Sequence, residues 1–280
     1  MRSLLGFAVA SAVVAARNLL TSAAAAALPS SRLLIGYASW AQCDDKVIQA
    51  VEEGVNVVIW FSIDLAVNET TGRPEVFVRP DLDCIAEKAA ILKEKGLETT
   101  HLISIGGWNS PHPDTSNTAK DVYLEFDRWN REDVARGGFG GFDGIDWDVE
   151  GNDDLSSPFN ELTAACIKLM GEMSQLAKRD GYITIRVSPS QLVVGLICDE
   201  VIDSDRMLYL SPKQVVEADK ALTRADISVR GYGYWNMQCD GVNTGVRLSA
   251  GLNAFLHTRK GVKGQSGSSW RRTGKGLLDL

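Results

Sequence analysis

Apolar residues in this chain come in short bursts, separated by longer stretches with helical spacing. Six bursts are rich in β-branched and aromatic residues: RLLIGYASW from position 32, VNVVIWFSI from 55, THLISIGGW from 100, FDGIDWDVE from 142, YITIRVSPS from 182 and ISVRGYGYW from 227. Each predicts a strand. Between them, Phe159, Leu162, Cys166, Leu169, Met173 and Leu176 recur at steps of three and four, which places all six on one face of a helix. A second helix is predicted around Ile85, Ala89 and Leu92 and closes at Gly96, the residue type that most readily takes the left-handed turn ending a helix. Strands alternating with helices in this way predict an α/β fold of repeated βα units around a parallel sheet. No linker or low-complexity segment follows residue 31, so 32–280 predicts one domain.

The fourth burst departs from the others. Side chains alternate along a strand, so Ile145, Trp147 and Val149 face one way and Asp146, Asp148 and Glu150 the other. Helices should cover the apolar set, which leaves three carboxyl groups pointing into the centre of the sheet or barrel. Barrel interiors are normally filled by Val, Ile and Leu. Like charges there repel and lose hydration, so at least one proton should be held or shared among them. Stability alone would not select such a strand. An exposed acidic edge strand would need other cover for Ile145, Trp147 and Val149. A carboxylate site for Mg²⁺ or Ca²⁺ is the other alternative, but His101, His112 and His257 have no ligand spacing and no calcium-loop pattern is present. No metal and no cofactor is expected.

Composition narrows the partner. With 29 basic and 36 acidic residues the 280-residue chain has net charge −7 and no cluster of Lys and Arg to neutralise phosphates, which argues against a nucleic-acid or anionic-membrane partner. The first 28 residues, with Arg2, an apolar run from Leu4 to Ala16 and Ala-rich small residues before Pro29, have the layout of a cleaved secretory signal, with an organellar transit peptide as the alternative. Arg17 divides the apolar stretch, so neither half is long enough for a membrane span. Five cysteines, none at Cys-x2-Cys spacing, fit an oxidising compartment better than a metal site, and Asn68-Glu69-Thr70 is a glycosylation sequon.

The acidic strand also carries a resemblance. DGIDWDVE resembles the D-x-x-D-x-D-x-E signature of family 18 glycoside hydrolases, and SIGG at 104–107 resembles that family's S-x-G-G motif on the preceding strand. The order Asp-Trp-Asp-Val-Glu is similar to the plant and fungal class III chitinase branch. The similarity runs from about Leu33 to about Thr258. It implies a TIM (β/α)8 barrel and a secreted, monomeric hydrolase cleaving β-1,4 bonds of chitin or other N-acetylglucosamine glycans. The implied mechanism is retaining and substrate-assisted: the sugar's own acetamido oxygen attacks the anomeric carbon.

Glu150 is the last inward carboxyl on its strand, hence nearest the C-terminal face where barrel active sites lie, and is placed to protonate a glycosidic oxygen. The resemblance implies that Asp148 holds the acetamido N–H and steadies the cationic intermediate, that Asp146 shares its proton, and that Asp143 supports the strand. It also implies that Ser104, Gly106 and Gly107 let the third strand approach the acidic one closely. A sixth-strand Tyr should donate to the acetamido carbonyl, for which Tyr234, with Trp235 and Asn236 beside it, is the match and Tyr232 the alternative. Tyr37 and Trp40 could stack on sugar faces or simply pack at the barrel rim. SPSQ at 188–191 stands where the family often has Ala-Pro-Gln, making Gln191 a further candidate.

Cys43 and Cys84 follow the first two strands, and Cys198 and Cys239 the fifth and sixth, so each pair could close across adjacent loops; Cys166, on the apolar helix face, is expected buried and free. Eight βα units close a barrel, yet six strands are legible before Gly261, and Trp270 does not match the tryptophan that ends the family's eighth strand as the floor under the cleaved sugar. The expectation is an incomplete barrel with an open edge at the sixth strand and an unpaired first strand. An endo-acting enzyme on N-linked glycans is the enzymatic rival, and a non-catalytic N-acetylglucosamine binder or inactive fragment the alternative of another class.

Overall fold

All six bursts contribute strands to one parallel sheet, and the burst from 227 takes a place in it that the sequence did not predict. The computed structural model describes residues 27–184, 193–198, 210–224 and 229–257. The strands are β1 (Leu33–Tyr37), β2 (Val57–Val67), β3 (Pro74–Val78), β4 (Thr100–Gly106), β5 (Gly144–Asp148), β6 (Ile183–Thr184), β7 (Val193–Ile197) and β8 (Gly231–Trp235). The helices are α1 (Asp45–Glu52), α2 (Leu82–Glu94), α3 (Ala119–Arg128), α4 (Ala164–Arg179), α5 (Pro212–Arg224) and α6 (Leu248–His257). The sheet order is β6-β5-β4-β2-β1-β8-β7, every neighbour in it parallel. β3 alone is antiparallel and extends β2 as a hairpin. The result is an incomplete TIM barrel, whose open side among the described residues lies between β6 and β7.

That position corrects the expected one. The 227–235 burst does not end the sheet far from the first strand: β8 pairs with β1 along its whole length, from Leu33 opposite Gly231 to Tyr37 opposite Trp235. β1 is therefore flanked on both sides. The reason is β7, a strand the periodicity did not reveal, which precedes β8 in the chain and takes the edge position beside it. β8 thus stands where a closed barrel's last strand meets its first, and its final residue is Trp235.

Strand alternation divides the core in two. Leu33, Ile35, Val57, Ile59, Leu102 and Ile183 fill the inner side of the sheet. Leu34, Val58, Trp60, Ile103, Ile145 and their neighbours pack outward against the helices. The long helix begins later than its apolar spacing predicts. Thr163 caps it by accepting a hydrogen bond from the Cys166 N–H, while Phe159 lies in a separate short turn at Pro158–Asn160 and Leu162 is exposed. A threonine cap and a preceding proline turn override spacing that happened to continue across them. Within α4, Cys166, Leu169 and Met173 are buried as expected. α2 is followed by Gly96 at φ 69°, the left-handed residue its end requires. Both disulfides form, Cys43–Cys84 and Cys198–Cys239, and Cys166 is free and buried.

Candidate active site

β5 sends its apolar and acidic residues to opposite sides. Ile145 is fully buried in the outer core, and the Trp147 indole N–H donates to Ser174 Oγ on α4 at 2.9 Å. Asp146 and Asp148 consequently face inward, opposite Ser104 and Gly106 of β4. Asp146 is buried, and its Oδ2 accepts hydrogen bonds from Ser104 Oγ at 3.1 Å and Tyr37 Oη at 3.2 Å. Burial pushes its carboxyl up to about 6, with the two hydroxyls pulling the other way. Asp148 is raised as well, first by burial, then by the charges of Glu150 and Asp146 and by a hydrogen bond shared with Glu150. Tyr37 is held well above its ordinary value, chiefly by burial and then by the carboxylates it faces. The inner end of β5 thus retains a proton at pH values where a free carboxylate would have none.

Glu150 lies two residues beyond the end of β5 and is exposed at the C-terminal face. The strand ladder cannot fix it there; the preceding βα loop does. His112 Nε2 lies 2.9 Å from the Glu150 carbonyl oxygen, and the Asn109 N–H donates to the Gly151 carbonyl at 3.0 Å. Asp153 accepts from Trp108 Nε1 at 2.9 Å and Asn109 Nδ2 at 2.7 Å. His112, Trp108 and Asn109 were not singled out in the sequence, because only tertiary contact gives them a part here.

The two glycines of SIGG permit this close approach. A Cβ on Gly106, at φ +105°, would stand 2.6 Å from the Asp148 carbonyl oxygen, and one on Gly107 would stand 2.1 Å from the Phe61 ring. The Gly107 N–H donates to that same Asp148 oxygen. Asp143 sits at the other end of the strand, where its carboxylate accepts the His101 N–H at 2.8 Å and clips β4 to β5. Burial raises it too, against that hydrogen bond.

The remaining candidates separate. Tyr37 joins the carboxylates, but Tyr234 does not. It is buried on the outer side of β8 beside Asp240 and Arg247, and Tyr232, on the same side, donates to Asp219 at 2.9 Å. Alternation turns Trp235 inward instead, where its ring lies 6.0 Å from Tyr37 and 4.9 Å from Phe61. Asn236 is buried and its side-chain oxygen accepts the Cys239 N–H at 3.1 Å, so it shapes the turn into the disulfide loop. Trp40, 40% exposed, packs edge-on against Phe61 at 4.5 Å. Gln191 lies outside the described residues. Among the described residues no group of three or more His, Cys, Asp or Glu side chains is placed to hold a metal ion.

No protein-family model matches the chain, and no curated protein matches its sequence. Solved structures do match in shape. Concanavalin B aligns over 80% of this chain and 99% of its own at TM-score 0.54 and 13% identity. A xylanase-α-amylase inhibitor protein aligns over 80% and 98% at TM-score 0.54 and 14% identity. The family 18 chitinase of Crocus vernus aligns over 80% and 99% at TM-score 0.47 and 12% identity. The fold is shared with concanavalin B and the inhibitor protein. At such identities the likeness is one of fold, and what this barrel does has to be argued from its own side chains.

Proposed function

We propose that the site at the end of β5 hydrolyses β-1,4 bonds in chitin or other N-acetylglucosamine glycans by a retaining, substrate-assisted route. The observation that carries this reading is the inward stack Asp146–Asp148 leading to Glu150, with Asp148 raised by burial and hydrogen-bonded to the glutamate. Glu150, at the mouth, is the general acid for the glycosidic oxygen. Asp148 receives the acetamido N–H and stabilises the positive charge that develops as the acetamido oxygen closes on the anomeric carbon. Asp146, fixed by Tyr37 and Ser104, shares the proton that keeps Asp148 poised. Trp235 lies on the inner face below this point and takes the role that the resemblance gives to a floor tryptophan; the β8 site for a hydroxyl donor passes from Tyr234 to no described residue. Paired carboxyls alone would also suit an ordinary double-displacement glycosidase, and the acetamido requirement rests on the family resemblance.

We further read residues 1–28, nearly all outside the described part, as an export signal, and the domain as a secreted monomer. The two disulfides favour an oxidising compartment, and among the described residues no helix is long and apolar enough to cross a membrane.

Glu150→Gln keeps shape and hydrogen bonding but removes the transferable proton. Turnover of N-acetylglucosamine oligomers should fall roughly 10²- to 10⁴-fold while affinity survives. Plain glucose oligomers, lacking the acetamido group, should not be cleaved. An inverted product anomer, or an unchanged rate for the variant, would refute the assignment. A second reading, a non-catalytic glycan binder, is favoured by two observations: the barrel is open between β6 and β7 among the described residues, and one of its structural neighbours is described as an inhibitor protein. In that case the native chain binds the oligomers with no turnover at all.

A further inference from the structure

Asn68-Glu69-Thr70 has no part in the hydrolase reading, and the fold puts it at the turn between β2 and β3. Val67 pairs with Pro74, so 68–73 is the connecting loop. The Asn68 N–H donates to the Arg73 carbonyl at 2.9 Å and the Gly72 N–H to the Asn68 carbonyl at 2.8 Å, which closes the turn on itself. Residues 69–73 are exposed.

Two threonines follow the asparagine, and only one of their hydroxyls works for the turn. The Thr71 hydroxyl donates to Asn68 Oδ1 at 3.2 Å and accepts the Arg73 N–H at 3.4 Å. The Thr70 hydroxyl has no partner among the described residues; only its backbone N–H is used, donating to Asn68 Oδ1 at 3.1 Å. Nothing in the fold calls for a hydroxyl at position 70. Attachment of an N-linked sugar does, because the acceptor sequence needs Ser or Thr two residues after the asparagine.

The Asn68 amide is divided in the way such a modification requires. Its Oδ1 is committed to the turn, accepting the N–H groups of Thr70 and, at 3.0 Å, of Thr71. Its Nδ2 makes one bond, to Glu75 Oε2 at 3.2 Å on the exposed side, which leaves one of its two hydrogens uncommitted. A sugar in place of that hydrogen keeps the other for Glu75 and disturbs no bond of Oδ1. The carboxylate site also stays clear. β2 runs from Ser62, which donates to the Gly106 carbonyl beside the acidic strand, outward to Asn68, a distance of roughly 20 Å at the rise of an extended chain.

We infer that Asn68 carries an N-linked oligosaccharide in the exported protein, transferred in the secretory compartment from a lipid-pyrophosphate-linked oligosaccharide. Nδ2 bonds to the anomeric carbon of the first sugar, the bond from that carbon to the pyrophosphate oxygen breaks, and the displaced amide proton is taken up by the leaving lipid pyrophosphate. The sugar's presence rests on the export reading and is independent of what the carboxylate site does.

The test expresses the full chain through a eukaryotic secretory pathway and reads the intact mass of the exported protein before and after an amidase that releases N-linked sugars. The native chain should carry one glycan that the amidase removes. Thr70→Ala should abolish it with an unchanged circular dichroism spectrum, and Thr70→Ser should keep it. Thr71→Ala should keep the glycan but lower the melting temperature, because Thr71 holds the turn and Thr70 does not. Exported protein without sugar, or with a glycan that survives Thr70→Ala, overturns the inference and leaves the export reading standing. A chain retained inside the cell with residues 1–28 still attached overturns both.

Discussion

Asp146 shows at the scale of one residue what the site costs. Its carboxyl titrates near 3.8 in the unfolded chain and at about 6 in the fold, because burial disfavours its charge more than Tyr37 and Ser104 favour it. Between those values the folded state holds the extra proton, so stability should fall as pH rises through that window, and the loss is complete above it. Asp146→Asn keeps the shape and, in its amide oxygen, an acceptor for both hydroxyls without the charge. It should stabilise the protein at pH 7–8 by about 1–3 kcal/mol, flatten the decline between pH 4 and 6, and impair turnover. Thermal unfolding of both proteins across that range checks this; a variant less stable than the native chain at pH 8 would count against a buried, charged Asp146. The inward direction of Asp146 and Asp148 was legible from alternation alone. The choice of Trp235 over Tyr234 was open to the same rule, since Gly231, Gly233 and Trp235 share a face, but it depended on knowing which strand neighbours β1. His112 left no local signal at all, because its partner is a backbone carbonyl 38 positions away in sequence.

At the scale of elements, short and well-marked pieces were predictable, and pieces held by their surroundings were not. The helix ending at Gly96 and the buried face of α4 followed from spacing and turn chemistry. β3 did not, since a five-residue strand with Pro74 at its start has only three consecutive apolar residues, Val76 to Val78, too short a run to mark a strand by itself. The disulfides add covalent ties between neighbouring elements. Cys43–Cys84 fastens the loop ahead of α1 to the first turn of α2, and Cys198–Cys239 fastens the ends of β7 and β8, each closing 41 residues of chain. Loss of either bridge should cost about 2–4 kcal/mol. For Cys198–Cys239 it should also loosen β7, an edge strand paired on one side only among the described residues. Alkylation of the unreduced protein after denaturation should label Cys166 alone; label on Cys43 or Cys239 would contradict these pairings.

At the scale of the whole molecule, protection should follow position in the sheet. β1, flanked by β2 and β8, and β4, flanked by β2 and β5, are central, while β6 and β7 border the open side. Hydrogen exchange should therefore be slowest in β1, β2 and β4 and fastest in β6 and β7, because edge amides open without breaking two ladders. A β1 that exchanges as fast as β7 would mean that the pairing with β8 is not the stable one. By itself the sequence determined the alternation of strands and helices, the face on which each β5 residue lies and the carboxylate set, since these depend on periods of two or about 3.6 residues along one chain. Only the tertiary structure decided that the 227–235 burst closes on β1, that β7 carries the edge, and that the rings of Tyr37, Trp235, Phe61 and Trp40 lie in contact. Those relations join residues up to about 200 positions apart, and no local preference distinguishes one parallel neighbour from another.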